Sequence, residues 1–374
     1  MIRILEYGAL TATRGGVESY IHNQIVCLSE KSEKNKEIQF DFLVPNEDEL
    51  KEYGCKFYRG YRRWKDSFFG HYVDLYRFFK SHYKDYDIAA ANYLDLQNIN
   101  FLIMAKLFGL KTIAHSHNSN VNRNFKYRIM VTLNRMLAIF FIDYLFACSS
   151  VAARWMFGDI LLKLKKHHYT QINNRIDAQK FKFSFYKRNE MRKKLNINPD
   201  TIVIGQTGRM TPQKNPLFII DIFYEFQKLN NNSYLILIGD GRLKNDIEKK
   251  ISDYGIESKV LLPGSQSNIS DWLQAMDIFL FPSLYEGLPV SLVEAQASGL
   301  RCFVSDTIPS QSFITDLCYV YPLKLSASDW AKNIKQECVY KRCDMSKEIF
   351  DKGFDINGLK EYYLDLYNKI KKRK

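Results

Sequence analysis

The sequence predicts an α/β protein made of two parallel-sheet domains, and three observations carry that prediction. Short apolar runs alternate with helical patterns, the alternation stops at a polar stretch and then restarts, and 374 residues exceed the size at which one core usually keeps growing. Hydrophobic residues make up 46% of the chain, enough for two ordinary cores.

The first alternation places a strand at Ile2 to Tyr7 and a helix at Ser19 to Ser29. Strand-like runs follow at Phe40 to Val44 and Ile88 to Ala91, then a helix at Leu96 to Phe108, then strands at Thr112 to His115 and Tyr144 to Ala147. Lys180 to Asp200 is rich in Lys, Arg and Asn and reads as a linker. The rhythm resumes with strands at Ile202 to Gly205, Tyr234 to Ile238, Val260 to Leu262 and Ile278 to Phe281, with helices at Pro216 to Leu229 and Leu243 to Asp253 between them. Leu359, Tyr362, Tyr363, Leu366 and Ile370 have helical spacing and predict a closing helix. The expected division is 1–178, a linker at 179–200, 201–355, and 356–374 as a C-terminal helix with a basic tail. Both larger pieces read as Rossmann-like.

The net charge is +13, and it is clustered. Lys51 to Lys65 holds six basic residues against one acid, and Lys369 to Lys374 holds five against none. Such clusters suit nucleic acid or an anionic membrane. Tyr58, Tyr61, Trp64, Phe68 and Phe69, interleaved with bases, tilt the expectation toward a membrane interface. Seven scattered cysteines without CxxC spacing suggest reduced thiols in a cytoplasm. The N-terminus has no signal-peptide stretch and opens like a buried strand. The longest apolar stretch, Ile129 to Phe146, carries Asn134, Arg135 and Asp143, so it reads as a buried helix and strand rather than a membrane span. A cytoplasmic protein is expected, soluble or peripheral on the inner face of the plasma membrane.

Candidate chemistry sits where strands end. After Ile278 to Phe281, Glu286 lies in a loop with Gly287, Leu288 and Pro289; Pro289 suits the first helical position and Gly299 the residue past the helix end. Glu294 then falls in the early helix. Unpaired amides at such a helix start attract phosphate, and carboxylates beside them can accept sugar hydroxyls. On their own these glutamates equally fit surface acids at a helix start or the acid and nucleophile of a glycosidase. Gly208, Arg209 and Lys214 share one loop after a strand, and two fixed cations there can stabilise a departing diphosphate. Gly239-Asp240-Gly241 makes a tight turn at the next strand end. Gly15 and Gly16, between the first strand and helix, can bring backbone amides close to a ligand. No GxGxxG fingerprint or Walker A motif supports an oxidoreductase or kinase.

The string Pro282-Ser-Leu-Tyr-Glu-Gly-Leu-Pro289 with Glu294-Ala-Gln-Ala-Ser-Gly-Leu300 resembles the signature of retaining glycosyltransferases of family 4, in the exopolysaccharide and capsule branch. Gly208-Arg209 with Gln213-Lys214-Asn215 and Gly15-Gly16-Val17-Glu18 resemble two further motifs of that family. The resemblance implies a GT-B fold: two Rossmann-like domains facing a central cleft, an N-terminal acceptor domain and a C-terminal donor domain, with the last helix returning to the N-terminal domain. It assigns Glu294 to the ribose hydroxyls, Glu286 to the transferred sugar, Arg209 and Lys214 to the leaving diphosphate, and Gly15 and Gly16 to the donor loop. Gly239 and Gly241 flank the nucleotide in similar proteins. His115-Ser-His117-Asn118 resembles a family segment that puts His117 near the transferred sugar, leaving His115 structural.

Ala147-Cys148-Ser149-Ser150 resembles a family segment whose role is packing or helix capping. Asn173-Asn174-Arg175-Ile176-Asp177 resembles the family's hinge but has Arg175 in place of the usual glycine, which puts the hinge geometry in doubt. Asp85-Tyr86-Asp87 has the spacing used by metal-dependent glycosyltransferases of another fold, yet it directly precedes a strand, where acids are ordinary. The implied enzyme is a hexosyltransferase that needs no metal or cofactor. It takes a nucleotide sugar, expected to be a UDP-sugar, and a lipid-linked or oligosaccharide acceptor, with nucleic acid not expected as a partner. The alternatives are a nucleotide-sugar epimerase of the same architecture and a nonenzymatic basic module that binds membrane or RNA.

Overall fold

A computed structural model describes residues 1–8, 16–28, 37–43, 54–58, 62, 67–93, 95–118, 125–357 and 360–372. The chain forms two compact units, one of Met1–Asn174 with Ile356–Lys374 and the other of Arg175–Asp355.

The first unit carries a parallel sheet of β1 (Ile2–Tyr7), β2 (Ile38–Leu43), β3 (Phe57–Tyr58), β4 (Ile88–Tyr93), β5 (Lys111–Ser116), β6 (Tyr144–Ala147) and β7 (Tyr169–Gln171), in the order β3-β2-β1-β4-β5-β6-β7. The helices are α1 (Gly16–Leu28), α2 (Phe68–His82), α3 (Asn100–Leu107), α4 (Phe125–Phe141) and α5 (Ser150–Leu164). Strands such as β4, Ile-Ala-Ala-Ala-Asn-Tyr, are buried along their whole length, as a strand covered on both faces must be. Leu75, Phe79, Phe101, Leu102, Val131, Met156 and Phe157 of α2 to α5 pack into one core. Tyr20, Ile21 and Ile25 of α1 pack into another, which Tyr363, Tyr367 and Ile370 complete.

The second unit holds α6 (Ala178–Phe181), α7 (Phe185–Lys194), β8 (Ile202–Thr207), α8 (Pro216–Leu229), β9 (Ser233–Ile238), α9 (Lys244–Asp253), β10 (Val260–Gly264), α10 (Ile269–Ala275), β11 (Ile278–Phe281), α11 (Val290–Ala297), β12 (Arg301–Ser305), β13 (Cys318–Tyr321), α12 (Ala327–Glu337) and α13 (Ser346–Asp351). Its sheet order is β10-β9-β8-β11-β12-β13, all parallel. Strand order reverses at the β8/β11 junction here and at the β1/β4 junction in the first unit, and such switch points leave a crevice outside the strand ends.

α14 (Lys360–Lys372) belongs to the first unit, where Gln24 Nε2 donates to Tyr367 Oη at 2.7 Å in the buried interior. The returning C-terminal helix therefore matches expectation. The linker expected at 179–200 is different: α7 lies inside the second unit and packs on α10. Buried Arg192 donates to the carbonyls of Ala275, Asn198, Pro199 and Thr201 and pairs with Asp277 at 2.5 Å, while Arg188 takes the other Asp277 oxygen at 2.6 Å. A charged segment is ordered here because its charges are satisfied internally.

Ile129 to Phe146 does form a helix and a strand, but α4 is not wholly buried, since one of its sides exposes large apolar residues. No helix among the described residues is long and apolar enough to cross a membrane. No disulfide joins the described cysteines. Of the basic segment at 51–65, residues 51–53, 59–61 and 63–65 lie outside the described residues, as does 66, and Arg62 pairs with Asp74 at 2.9 Å. In the C-terminal cluster Lys369 pairs with Asp365 at 2.5 Å and Lys371 with Asp87 at 3.0 Å, and 373–374 are not described.

Candidate functional site

The sequence places its strongest candidates in the second unit, and the fold brings three strand-end loops together there. After β8, the chain passes Gly208 and Arg209, makes a 3₁₀ turn over Pro212–Lys214, and enters the left-handed conformation at Asn215 (φ 53°) before Pro216 starts α8. After β11 come Pro282 to Pro289. Leu284 N donates to Gln213 O at 2.8 Å, Gln213 Nε2 donates to Tyr285 O at 3.0 Å, and Asn215 Nδ2 donates to Pro282 O at 3.2 Å. These bonds tie the two loops across the switch point. Ser305 and Thr307 hold the Ser283 carbonyl from the other side, at 2.6 and 2.8 Å.

Within that frame Lys214 Nζ donates to Glu286 Oε1 at 2.6 Å and sits 4.7 Å above the centre of the Phe281 ring. Glu286 is buried and Lys214 nearly so, and Gln213 Nε2 reaches the second Glu286 oxygen at 3.3 Å. The cation is therefore held in place by a carboxylate. Arg209 is exposed, and no carboxylate among the described residues pairs with it. It stays available to an anion.

Gly239 and Gly241 have a steric task. Met210 N donates to Asp240 O at 2.8 Å and Gly208 N to Ile238 O at 2.9 Å, so the two loops touch backbone to backbone. A Cβ on Gly239 would lie 2.0 Å from Gly208 O, and one on Gly241 2.5 Å from Met210 O. Only glycine permits that approach.

Pro289 is the N-cap of α11 (φ −74°, ψ 113°) rather than its first helical residue, and Gly299 follows the helix at φ 68°. Gly287 and Leu288 complete the buried turn before it. Glu294 falls in the second turn of α11, not beside its free amides. Burial raises its carboxyl to about 7 against a partial pull downward from Lys180, and no protein group among the described residues hydrogen-bonds it. Gln296, which the sequence did not single out, anchors α11: its side chain accepts from Ile314 N (2.8 Å) and Thr315 N (3.0 Å) and donates to Ser312 O (2.8 Å).

In the first unit Gly15 lies outside the described residues and Gly16 opens α1. His117, just past β5, is buried and donates from Nε2 to Asn92 Oδ1 at 2.8 Å; Asn92 Nδ2 donates to Glu6 Oε2 at 2.7 Å. This chain spans the β1/β4 switch point. Burial raises the Glu6 carboxyl to about 7 and lowers His117 to about 3. His117 is thus neutral, its Nε2 hydrogen committed and its Nδ1 unpartnered among the described residues. His115, its ring centre 4.0 Å from that of His117 with the two planes tilted by 40°, and edge-on to Tyr20, is buried and held neutral too. Glu6 and Asn92 were missed; the available signal was a lone acid inside an apolar strand.

The remaining motifs have structural partners. Ser149 caps α5, accepting from Ala152 N at 3.1 Å. Arg175 avoids the left-handed region, which among described non-glycine residues is occupied by Asn196 and Asn215, so the missing hinge glycine does not strain the backbone. Asp87 accepts from Arg3 N at 2.9 Å and pairs with Lys371.

Two loops tied across a switch point around the Lys214–Glu286 pair form the candidate site of this two-domain α/β protein, and comparison with known proteins says which class it belongs to. The family Glycosyl transferases group 1 matches residues 187–336, wholly in the second unit. The putative glycosyltransferase EpsF of Bacillus subtilis is 31% identical over 282 residues, 73% of this chain and 73% of its own length. An Escherichia coli UDP-Gal:alpha-D-GlcNAc-diphosphoundecaprenol alpha-1,3-galactosyltransferase is 35% identical over 138 residues, 36% of each chain. The crystal structure of Anabaena HepE with UDP-glucose shares the fold over 99% of this chain and 100% of its own, at TM-score 0.77 and 15% identity. The chain belongs to the group 1 glycosyltransferases, GT-B enzymes, in the exopolysaccharide and capsule branch.

Proposed function

We propose that the protein is a retaining glycosyltransferase that moves a hexose from a UDP-sugar to a lipid-linked or oligosaccharide acceptor in surface polysaccharide assembly. The observation that carries the reading is Lys214 Nζ fixed 2.6 Å from Glu286 at the β8/β11 switch point. Held there, the cation meets the charge that grows on the β-phosphate as the bond to the sugar breaks, without rearranging at the moment of reaction. Arg209 adds a second positive charge from the same loop, and together they replace a metal ion as the counter-charge. Glu294 accepts the ribose hydroxyls, Gly208, Gly239 and Gly241 bring backbone close to the nucleotide, and Gly287 to Pro289 supply the turn at the sugar and phosphates. His117 is the remaining candidate for contact with the transferred sugar. The bond from the anomeric carbon to diphosphate oxygen breaks, a bond to the acceptor oxygen forms on the same face, and the acceptor proton leaves with the diphosphate.

Two similar proteins support a uridine donor: HepE was crystallised with UDP-glucose, and the Escherichia coli relative is a galactosyltransferase that uses UDP-Gal on alpha-D-GlcNAc-diphosphoundecaprenol. Thermal-shift screening of UDP-, GDP- and ADP-sugars selects the donor, because a cognate ligand stabilises the native state by mass action. Mass-tagged donor with lipid-linked acceptors in the presence of EDTA, followed by assignment of the product anomer, tests the rest. An inverted anomer, or turnover abolished by EDTA, overturns the corresponding part. An epimerase converts the donor with no acceptor present, so product analysis with donor alone separates the two readings.

A further inference from the structure

α4 has two apolar faces. Tyr127, Val131 and Ala138 pack inward. On the opposite side Phe125 (75% exposed), Ile129, Leu133, Met136, Leu137 and Phe140 (72%) face outward. At 100° per residue these outward side chains fall in one arc of about 120°, a continuous stripe along the helix. The pattern extends to neighbours on the same face of the sheet: Ile160 and Leu164 of α5 and Leu107 of α3 are also exposed. Patches of this kind mark a surface that something covers.

The charges say what covers it. α4 contains no acid; exposed Lys126 falls within the arc at the helix's first turn, and exposed Arg128 lies just outside its edge. Arg135 is turned inward, donating to the carbonyls of Met156 and Trp155, and takes no part. Across α2 to α5 there are eight Lys or Arg against only Asp74 and Asp159. A second copy fits poorly, because a two-fold contact would set the same basic rim against itself. A lipid bilayer with anionic headgroups suits both features: a helix with an apolar stripe and basic margins lies in the interface plane, its stripe among the acyl chains and its bases at the phosphates.

We propose that α4 is an interfacial helix that seats the protein on an anionic membrane surface through Phe125, Ile129, Leu133, Met136, Leu137 and Phe140, with Lys126 and Arg128 at the headgroups. The expectation of membrane contact drawn from residues 58–69 thereby moves to a different surface. The inference does not rest on the donor chemistry proposed above and stands if that chemistry fails.

The test is co-sedimentation of the full chain with phosphatidylcholine vesicles, with and without phosphatidylglycerol. The wild type pellets with the anionic vesicles and is released by salt. Leu133→Glu with Phe140→Glu lowers vesicle affinity about tenfold or more, and unchanged unfolding temperature confirms that these exposed positions do not support the core. Lys126→Glu with Arg128→Glu abolishes the preference for phosphatidylglycerol. Wild-type protein left in the supernatant, or an L133E/F140E variant that binds like wild type, overturns the proposal. So does a concentration-dependent dimer that Leu133→Glu dissociates, since the stripe would then belong to a second copy.

Discussion

Lys214 and Glu286 form a 2.6 Å ion pair between loops that follow neighbouring strands, and the pair is shielded from water. A lone buried carboxylate beside no cation would be costly, so each residue fixes the other. Lys214→Ala should lower kcat by about 100-fold or more, the usual scale for one preorganised charge-stabilising donor, with a smaller change in KM. Lys214→Arg should not restore it, because a planar fork cannot take the place of a compact ammonium wedged against Phe281. Steady-state kinetics on both variants check this.

Glu294 provides a pH signature. Its carboxyl is raised to about 7 by burial, so near neutrality it is part protonated. Hydroxyl donors from a nucleotide favour the ionised form, and binding therefore expels a proton. If Glu294 holds the ribose as proposed, affinity for the nucleotide-sugar donor should rise as pH climbs through about 7 and level off above it, a dependence absent in Glu294→Gln. Calorimetry in two buffers of different ionisation enthalpy reads the released proton directly.

Gly239→Ala should damage both fold and site. The added carbon would sit 2.0 Å from Gly208 O at a backbone φ of 138°, so both the clash and the strain act. A loss of about 3 kcal/mol or more is expected, together with weaker nucleotide binding, because the displaced strand-end loop carries Arg209. Urea unfolding and a binding titration measure the two effects.

Asp277→Ala should unfasten α7. It leaves Arg188 and buried Arg192 without their carboxylate and Val203 N without its acceptor at 2.8 Å. Removing one member of a buried charge network costs about 3–5 kcal/mol. The midpoint of chemical unfolding should fall accordingly, while a surface pair such as Lys228–Glu225 should barely register on deletion.

Glu6 and His117 tilt stability in opposite directions with pH. Glu6 moves from 4.5 to about 7 on folding, so the unfolded chain ionises it first and stability falls as pH rises between those values. His117 moves from 6.5 to about 3, so stability falls as pH drops through that range. Glu6→Gln removes the first loss: relative to wild type it should gain stability between pH 4.5 and 7 and keep the gain above, on the order of 3 kcal/mol at full strength. Denaturation curves across pH, taken as differences between the two proteins, isolate it from Glu294.

Strands β1, β8, β9 and β11 were legible because short apolar runs bounded by Gly, Pro or Asn leave little choice. The candidate loops after β8, β9 and β11 were legible as strand-end loops because glycines and cations cluster there. α7 was not: Phe-Tyr-Lys-Arg-Asn-Glu-Met-Arg-Lys-Lys looks solvated, and what orders it is Asp277, 85 residues from Arg192 in sequence. α4 defeated the reading for another reason, since periodicity reports that two sides of a helix are apolar without saying which of them meets the core. The Glu6–Asn92–His117 chain joins three strand ends distant in sequence, so beyond the lone acid in β1 it leaves no local pattern.

The return of α14 to the first unit has a consequence for biosynthesis. When residues 1–174 leave the ribosome, Tyr363, Tyr367 and Ile370 have not been made, and the pocket they fill beside Phe40, Tyr20 and Ile25 stands open. Residues 175–355 form a continuous segment and can close their own core first. The half of the molecule synthesised first is therefore the half finished last, and until then a nascent chain presents an apolar face on which chaperones can act.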